Sequence, residues 1–366
     1  MKVLCVIDSL GSGGAQRQIA NLACALKDKG HDVEMLVYFP EESFYRSVVN
    51  EAGITVHEIE KGAGFSWKVV LHIRRLLRVD RYDAVISFLG APDFYCELAS
   101  VLALSRSKLI VSERSSAMGD IGTLRPLILR VMHVVADSVV ANSFTHAQWL
   151  RKYPWLRQKT HVIYNGYLLP PPVSQPYRGN NVNRFRYLVI GRLHQGKNGV
   201  RLIKGLELYS KMHGRTPEIG WAGRQETDPE SLKNRSEMDD LLAQHTDIAM
   251  NWQWLGERRD IPALLRDCDA LLHVSLYEGL PNAVCEAFAE GRPVIASNVC
   301  DHPRLVEEGI RGVLCDPLSP ESICDAIQRF EALSVSERDM MGVNARRYAE
   351  DYLTIDKMVA AYEGLI

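Results

Sequence analysis

Residues 270–291 read ALLHVSLYEGLPNAVCEAFAEG. The apolar run 270–275 is typical of a buried strand, and Pro281 fits the first position of the helix that follows. This pattern places Glu278 in the connecting loop and Glu286 in the helix, eight positions later. The free N–H groups at a helix start favour an anion or a hydroxyl group between two such carboxylates. Taken alone, the segment is also consistent with two solvated glutamates beside an ordinary turn.

Strand-like and helix-like segments alternate along the rest of the chain. Amphipathic stretches at 16–29 and 67–79 separate short runs of β-rich residues. The alternation predicts parallel sheets covered by helices on both faces, and it occurs in two series. Strands are predicted at 3–8, 32–37, 84–88, 108–112, 138–141 and 160–163, then at 186–190, 218–222, 252–255, 270–275, 293–296 and 312–315.

Length and composition agree with two α/β domains. The chain has 366 residues, of which 46% are hydrophobic, so it exceeds the usual size of a single core. We predict a first domain at residues 1–168 and a second at 184–345. The segment between them, 169–183, is rich in proline and lacks any helical or strand period, which is typical of a linker.

Charge and cysteine usage exclude several classes of protein. The formal net charge of −2 gives no electrostatic footprint for a nucleic acid. Eight cysteines without a C-x-x-C pair favour free, buried thiols in a reducing compartment. The apolar start is too short for a signal peptide, and no apolar run reaches the roughly 18 residues of a transmembrane helix. We therefore expect a cytoplasmic location, with contact to the inner face of the cytoplasmic membrane left open.

A glycine-rich loop follows the first predicted strand. It reads Gly11-Ser12-Gly13-Gly14-Ala15, but the dinucleotide fingerprint G-x-G-x-x-G requires glycine where Gln16 stands. A nicotinamide-dependent oxidoreductase is therefore disfavoured. The glycines would still let the backbone approach a ligand closely, and the alternative is a tight turn without one.

A second candidate ligand site follows strand 186–190. Gly191 ends this strand, so Arg192 and Lys197 are expected at the carboxyl edge of the second sheet, where ligands of open α/β sheets bind. Two fixed cations at that edge would stabilise the charge on a departing diphosphate without a metal. The alternative is a pair of solvated loop cations. The histidines form no metal-binding motif, and we predict neither a metal nor a cofactor.

Residues 66–81, from Ser66 to Arg81, combine an apolar helical face with several cations. The pattern fits peripheral contact with anionic lipid headgroups. It fits equally well a helix packed on the sheet with a basic outer face. We give the packed helix the larger weight.

Several motifs together resemble the retaining GT-B glycosyltransferases, in particular glycosyltransferase family 4. The resemblance spans nearly the whole chain. It is carried by Gly13-Gly14-Ala15-Gln16-Arg17, Ala136-Asp137 through Ser143, Val162-Ile163-Tyr164-Asn165-Gly166, Gly191-Arg192-Leu193 with Lys197-Asn198, and Glu278 to Glu286. It implies two Rossmann-like, doubly wound parallel-sheet domains facing each other across a cleft, with a C-terminal helix at 346–366 crossing back to the first domain.

The resemblance also implies roles for individual residues. Arg192, Lys197 and Glu278 would be catalytic, and Glu286 would bind the ribose of the donor. The remaining donor contacts would be Gly13, Gly14, Gly279 and Leu280, with Leu255 and Ile261 in the region that holds the base. Candidates for contact with the sugar or the acceptor are Arg17, Glu113, Arg114 and Asn165. Many relatives have a histidine where this chain has Arg114, so the role of that histidine is not transferred.

The resemblance implies a retaining glycosyltransferase, and we predict that it is metal-independent. The donor would be a nucleotide diphosphate sugar, a UDP-sugar by family frequency, with GDP-mannose left open. The acceptor would be a glycan or lipid-linked glycan of a surface polysaccharide, lipopolysaccharide or glycoconjugate. The alternatives are a sugar-nucleotide epimerase of the same double-Rossmann plan and a catalytically silent nucleotide-sugar-binding subunit.

Overall fold

The structure is a computed structural model that describes residues 1–114, 124–171 and 184–366. Most of the predicted linker, residues 172–183, lies outside this range. The chain divides into two compact units. Unit 1 comprises Met1–Gly166 and Leu353–Ile366, and unit 2 comprises Tyr167–Tyr352.

Unit 1 is built on a seven-stranded parallel sheet of order β3-β2-β1-β4-β5-β6-β7. Its strands are β1 Lys2–Val6, β2 Asp32–Val37, β3 Thr55–Glu58, β4 Ala84–Phe88, β5 Lys108–Glu113, β6 Ser138–Ala141 and β7 Thr160–Val162. Its helices are α1 Gly14–Asp28, α2 Arg46–Glu51, α3 Trp67–Val79, α4 Gly90–Ala103, α5 Leu124–Met132, α6 Phe144–Leu150 and, from the end of the chain, α15 Ile355–Glu363.

Unit 2 is built on a six-stranded parallel sheet of order β10-β9-β8-β11-β12-β13. Its strands are β8 Arg186–Ile190, β9 Glu218–Ala222, β10 Trp252–Gly256, β11 Ala270–His273, β12 Val294–Ser297 and β13 Gly312–Cys315. Its helices are α7 Gly199–His213, α8 Pro229–Gln244, α9 Thr246–Ala249, α10 Ile261–Asp267, α11 Asn282–Ala289, α12 His302–Val306, α13 Pro320–Ala332 and α14 Val335–Tyr352.

Both sheets are buried on their two faces, which explains the continuous apolar runs of their central strands. In β4 and β11, every residue is buried. In each sheet, the early strands are added on one side of the first strand and the later strands on its other side. The change of side falls between β1 and β4 in unit 1 and between β8 and β11 in unit 2. Such switch points place ligands at the carboxyl ends of the strands.

Twelve of these strands match the segments predicted from the sequence, but β3 was not predicted. It reads Thr-Val-His-Glu, with both ends exposed, so it has no apolar alternation to reveal it. It forms because it pairs with β2 at the sheet edge, where His57 also contacts Glu34 at 2.7 Å. Tertiary context therefore decides this strand.

The crossing back of the C-terminal segment begins at Leu353, later than the predicted boundary of 346. The helix α14 stays with unit 2 because it packs on α11, where the backbones of Gly291 and Gly342 come close together. A Cβ atom at Gly342 would lie 2.5 Å from the carbonyl oxygen of Gly291. Of the C-terminal part of the chain, only the residues after α14, which include α15, belong to unit 1.

The helix predicted at 67–79 forms as α3, and its apolar face is packed. Val69, Val70, Ile73, Leu76 and Leu77 are all buried. The helix lies against α4, so this face is not available to a membrane, as the packed-helix interpretation expected. Within the described ranges, no helix is long and apolar enough to cross a membrane.

Candidate functional site

The central feature of unit 2 is an ion pair between Lys197 and Glu278 at the carboxyl edge of its sheet. Lys197 ends a short 3-10 helix, Gln195–Lys197, that follows β8, and Glu278 lies in the loop that follows β11. Because β8 and β11 are neighbours, both loops emerge side by side. The backbone N–H of Leu276 donates to the carbonyl oxygen of Gly196 at 2.9 Å and joins the two loops directly.

Two neighbouring residues fix the position of Lys197. A Cβ atom at residue 191 would lie 2.7 Å from Cε of Lys197, so glycine is needed at Gly191 for the lysine to pass. Asn198 adopts a left-handed conformation with φ of 62° and is buried. Its Nδ2 donates to the carbonyl oxygens of Val274 at 3.0 Å and Pro317 at 2.7 Å. The Gly-Arg and Lys-Asn elements of the sequence therefore place one ammonium group against the end of β11.

Glu278 is held as a carboxylate by its neighbours. Burial alone would raise its pKa, but the charge of Lys197 and the hydrogen bond from His273 outweigh burial and hold the pKa well below the ordinary value. His273 is the last residue of β11, and its Nε2 lies 3.1 Å from Oε1 of Glu278. Burial lowers the pKa of His273, so a neutral ring donates this hydrogen bond.

A second buried histidine and a strained cysteine support this arrangement. His302 packs edge-on against His273 with ring centroids 5.2 Å apart, and burial lowers its pKa to about 3. Its Nδ1 lies 2.8 Å from the carbonyl oxygen of Ser297. Cys300 has a φ of 49°, and its Sγ accepts the backbone N–H of Glu278 at 3.5 Å. Strained residues of this kind often lie at functional sites.

Arg192, the second predicted cation, lies on the same edge but in a different environment. Its side chain is 64% exposed and pairs with Oε1 of Glu226 at 2.8 Å. It lines a polar cavity of about 330 Å³ together with His194, Tyr277 and Asp228. The structure therefore brings Lys197 to Glu278 and leaves Arg192 beside an acidic partner.

The other predicted donor residues of unit 2 lie near the end of β10 or in the segments that follow β10 and β11. Glu286 is half-buried on α11, Leu280 is buried, and Gly279 is half-buried immediately before that helix. Leu255 lies near the end of β10, and Ile261 begins α10. In the sheet, β10 lies two strands away from β8. The helix α11 starts at residue 282, one position later than predicted, because Pro281 is its N-cap.

In unit 1, the glycine loop leads directly into α1. Gly13 is the N-cap of this helix, and both Gly13 and Gly14 are exposed. A Cβ atom at Gly13 would lie 2.1 Å from the side-chain oxygen of Gln16, whose Nε2 donates to Asp8 at 2.9 Å. Arg17 is half-buried in the first turn of the same helix. The loop exposes backbone without side chains at the carboxyl end of β1.

The structure places Glu113, which was predicted to contact sugar or acceptor, in a buried cluster that engages both of its carboxylate oxygens. His133 Nε2 lies 2.9 Å from one oxygen and His146 Nε2 lies 3.0 Å from the other. The pKa of Glu113 is lowered, since both histidines together outweigh the effect of burial. His133 also contacts Glu97 at 2.5 Å, and the two carboxylates raise its pKa to about 10 against burial. The cluster is an internal charge network.

Arg114 and Asn165 also take part in an internal network. Arg114 stacks on the ring of Phe88 at 3.5 Å and donates to Asn165 Oδ1 and to the hydroxyl of Tyr362 at 3.1 Å. Asn165 is 2% exposed. Arg114 therefore links β5, the segment after β7 and the C-terminal helix α15. Its Nε also donates to Ser112 Oγ at 3.1 Å. This position suits an arginine better than a histidine, because one planar group serves these three acceptors and a ring.

Sequence reasoning did not identify His273, Asn198 or His133. His273 was hidden in an apolar strand, although a polar residue at the carboxyl end of a buried strand is a usable signal. Asn198 was quoted only beside Lys197, and the demands of its left-handed conformation are not visible in a sequence. Among the described residues, no three His, Cys, Asp or Glu side chains are arranged to hold a metal ion.

Comparison with known proteins identifies the family. A model for Glycosyltransferase Family 4 matches residues 12–167, and a model for Glycosyl transferases group 1 matches residues 175–348. The chain belongs to this glycosyltransferase family. The glycosyltransferase therefore carries the family pattern in both of its units, as the resemblance of the motifs implied.

Two curated relatives of this glycosyltransferase act on lipid-linked substrates according to their names. An α-1,4-N-acetyl-D-galactosaminyltransferase of Campylobacter jejuni, named for an acceptor on PP-undecaprenol, is 24% identical over 293 residues, covering 78% of this chain and 76% of the relative. A UDP-Gal:α-D-GlcNAc-diphosphoundecaprenol α-1,3-galactosyltransferase of Escherichia coli is 37% identical over 111 residues, covering 30% of this chain and 28% of the relative.

The solved structures establish the fold of the glycosyltransferase. Anabaena HepE, determined in complex with UDP and glucose, matches with a TM-score of 0.82 and 19% identity over 100% of this chain and 98% of that chain. A glycosyltransferase from Rickettsia africae matches with a TM-score of 0.84 and the same identity, over 100% of this chain and 97% of that chain. The GT-B architecture predicted from the sequence is confirmed.

Proposed function

We propose that this glycosyltransferase transfers a sugar, with retention of configuration, from a nucleotide diphosphate sugar to a glycan carried on a lipid diphosphate. The Lys197–Glu278 pair is the observation that carries the proposal. An ammonium group has three donors, and Glu278 occupies one side of it. The remaining donors suit the negative charge that develops on a departing diphosphate.

The proposed donor is a UDP-sugar. Supporting this are the UDP in the Anabaena HepE structure and the UDP-Gal in the name of the Escherichia coli relative. Glu286 would accept hydrogen bonds from the two ribose hydroxyls, since a carboxylate matches a vicinal diol. Leu255 and Ile261 would contact the base. Gly279 and Leu280 would direct their backbone N–H groups toward the donor.

Glu278 and His273 would act on the transferred sugar. A carboxylate whose pKa is held low stays an acceptor for sugar hydroxyls, and His273 fixes its direction. Gly13, Gly14 and Arg17 would contact donor or acceptor from unit 1. We propose that no metal takes part, because Lys197 and Arg192 supply positive charge at the diphosphate. The reaction then rests on positioning and electrostatics.

A lipid-linked acceptor follows the names of the two relatives and implies action at the cytoplasmic face of a membrane. The epimerase alternative is not favoured, since the family models and the named relatives are glycosyltransferases. A silent subunit is disfavoured by the intact Lys197 and Glu278 pair.

The test is a transfer assay with radiolabelled donors. The purified protein is incubated with UDP-galactose, UDP-glucose, UDP-N-acetylhexosamines or GDP-mannose and with α-D-GlcNAc-diphosphoundecaprenol in detergent, with and without EDTA. We expect release of one nucleoside diphosphate together with label in the organic phase, insensitive to EDTA, and an α-linkage by NMR. Absence of nucleoside diphosphate release with every donor would contradict the proposal.

A further inference from the structure

Unit 1 contains an open apolar groove that the proposed chemistry has not used. Its volume is about 580 Å³, and Phe65, Ala91, Phe94, Tyr95 and Ile128 line most of it, with Lys61 as its charged residue. The Phe65 ring stacks on Tyr95 with centroids 5.4 Å apart, so the aromatic wall is already formed. The groove is distinct from the Lys197–Glu278 pair, which belongs to unit 2.

The groove lies at the ligand-binding edge of the first sheet. Lys61 and Phe65 follow β3, Ala91 lies in the first turn of α4 after β4, and Ile128 lies on α5 after β5. Carboxyl ends of parallel strands share one edge, and the loop containing Gly13 follows β1 at that same edge. A ligand in the groove would therefore extend along the edge on which the glycine loop lies.

Large apolar side chains are exposed on the segments that contribute to the groove. Phe65 and Ile128 line the groove itself, and the others lie on α3, on α5 or shortly after α5. The exposed fractions are 49% for Phe65, 57% for Trp67, 53% for Leu71, 44% for Leu127, 57% for Ile128, 49% for Val131 and 59% for Val134. Exposed apolar side chains that line a concave groove are typical of an interaction site.

The charge of Lys61 restricts the occupant. Its ammonium lies 5.2 Å from the centroid of the Phe39 ring and 5.8 Å from that of Tyr38. Among the residues that the structure describes, it forms no ion pair with a carboxylate. An aromatic groove that ends at an unneutralised cation is complementary to an apolar chain that carries an anionic head.

We propose that the groove binds the isoprenoid chain of a polyprenyl diphosphate-linked acceptor, with Lys61 facing the diphosphate. The proposal rests on the proposed function for the class of acceptor. It differs from the surface predicted for lipid contact, because the buried apolar face of α3 is packed on α4, whereas the exposed aromatic side chains are Trp67, where α3 begins, and Phe65 just before it. A concave groove fits a single chain better than a flat bilayer surface.

The experiment is calorimetric titration of the full-length protein with farnesyl diphosphate in the presence of saturating UDP, which blocks diphosphate binding in unit 2. Inorganic diphosphate and farnesol are titrated separately. We expect saturable binding of farnesyl diphosphate, weaker binding of farnesol and none of inorganic diphosphate. Ile128→Asp should lower the affinity at least about tenfold, because it removes apolar contact from the groove. Lys61→Ala should weaken farnesyl diphosphate and leave farnesol unchanged.

Leu104→Asp is the matched control. Leu104 is 83% exposed in unit 1, does not line the groove and has a φ of 51°, which aspartate tolerates better than leucine. This variant should bind farnesyl diphosphate like the wild type.

Equal affinity of Ile128→Asp and Leu104→Asp for farnesyl diphosphate would contradict binding in the groove. So would a concentration-dependent dimer, detected by ultracentrifugation, that farnesyl diphosphate leaves intact and Ile128→Asp dissociates, because the groove would then contact a second copy of the chain. Direct UDP titration of the same preparations separates the two proposals. Normal UDP binding without farnesyl diphosphate binding contradicts only the groove, whereas failure to bind any nucleoside diphosphate contradicts the proposed function.

Discussion

Lys197 and Glu278 stand 81 positions apart in sequence and form an ion pair in which their side chains are only 17% and 15% exposed. Two adjacent parallel strands bring them together at one edge of a sheet. Removing one member of a pair this well buried leaves an uncompensated charge. The pair therefore couples the stability of the site to its proposed chemistry, and variants must be assayed for both.

Lys197→Ala should lower turnover by about 10²–10³-fold, because one donor to the departing diphosphate is lost. Steady-state kinetics with the preferred donor measure this effect, and donor titration separates turnover from binding. Lys204→Ala, an exposed lysine on α7, is the control and should turn over normally. Turnover of Lys197→Ala equal to that of the control would remove Lys197 from the mechanism.

His273→Phe should move the acidic limb of the pH–rate profile to higher pH. The hydrogen bond from His273 helps to keep the pKa of Glu278 low, so its loss raises that pKa and the active carboxylate is lost earlier on acidification. His273→Gln retains an N–H donor and should restore part of the profile. A profile that is unchanged in His273→Phe would show that His273 does not position Glu278.

His133→Ala should destabilise the protein by about 3–5 kcal/mol, because Glu97 and Glu113 lose the cation between them. The pKa of His133 is raised in the fold from 6.5 to about 10. Its contribution is therefore complete below pH 6.5 and is lost as the pH rises toward about 10.

Urea unfolding of the wild type and His133→Ala at pH 6.5 and pH 10 tests this sign. The difference in unfolding free energy should be largest at pH 6.5 and should shrink at pH 10. Asp93, Arg130 and His146 are the other charged or titratable groups around this cluster, and both proteins retain them. His213→Ala, at an exposed position, is the control, and a constant difference across the two pH values would contradict a protonated His133.

Arg114→Ala should loosen the C-terminal helix α15. The guanidinium bonds Asn165 and Tyr362, and charged hydrogen bonds of this kind contribute about 1.5–3 kcal/mol each. Hydrogen exchange should rise in peptides covering residues 353–366, and Arg114→Lys should restore protection only in part because an ammonium lacks the planar fork. Protection unchanged in both variants would mean that Arg114 has another role.

The architecture was predictable because its information is local. The apolar strands, the glycine loop and the spacing of Glu278 and Glu286 each appear within short windows. By contrast, β3 was missed because its pairing with β2, not its own pattern, makes it a strand. The packing of α3 left two alternatives open, since an apolar face reads the same whether it meets a sheet or a membrane.

Residues of the candidate site could be predicted only where their position after a strand implies that their side chains are accessible to a ligand. Lys197 and Glu278 follow adjacent strands, so their residues could be named, although their mutual ion pair and the contribution of His273 required coordinates. Glu113 also lies at the carboxyl end of a strand, as the last residue of β5, but His133 and His146 contact its carboxylate from distant segments of the chain. Long-range partners of this kind decide whether a carboxylate faces ligand or core.

The most direct measurement is the thermal shift of the wild type, Glu286→Ala and Glu237→Ala with UDP, GDP, ADP, TDP and NAD. Glu237 is exposed on α8 and serves as the control. A ligand at a hundredfold excess over its dissociation constant contributes about 2.7 kcal/mol, which moves the midpoint by several degrees. We predict a shift with UDP that is retained in Glu237→Ala and lost in Glu286→Ala. No shift with any nucleoside diphosphate, or a shift with NAD alone, would contradict a nucleotide-sugar site.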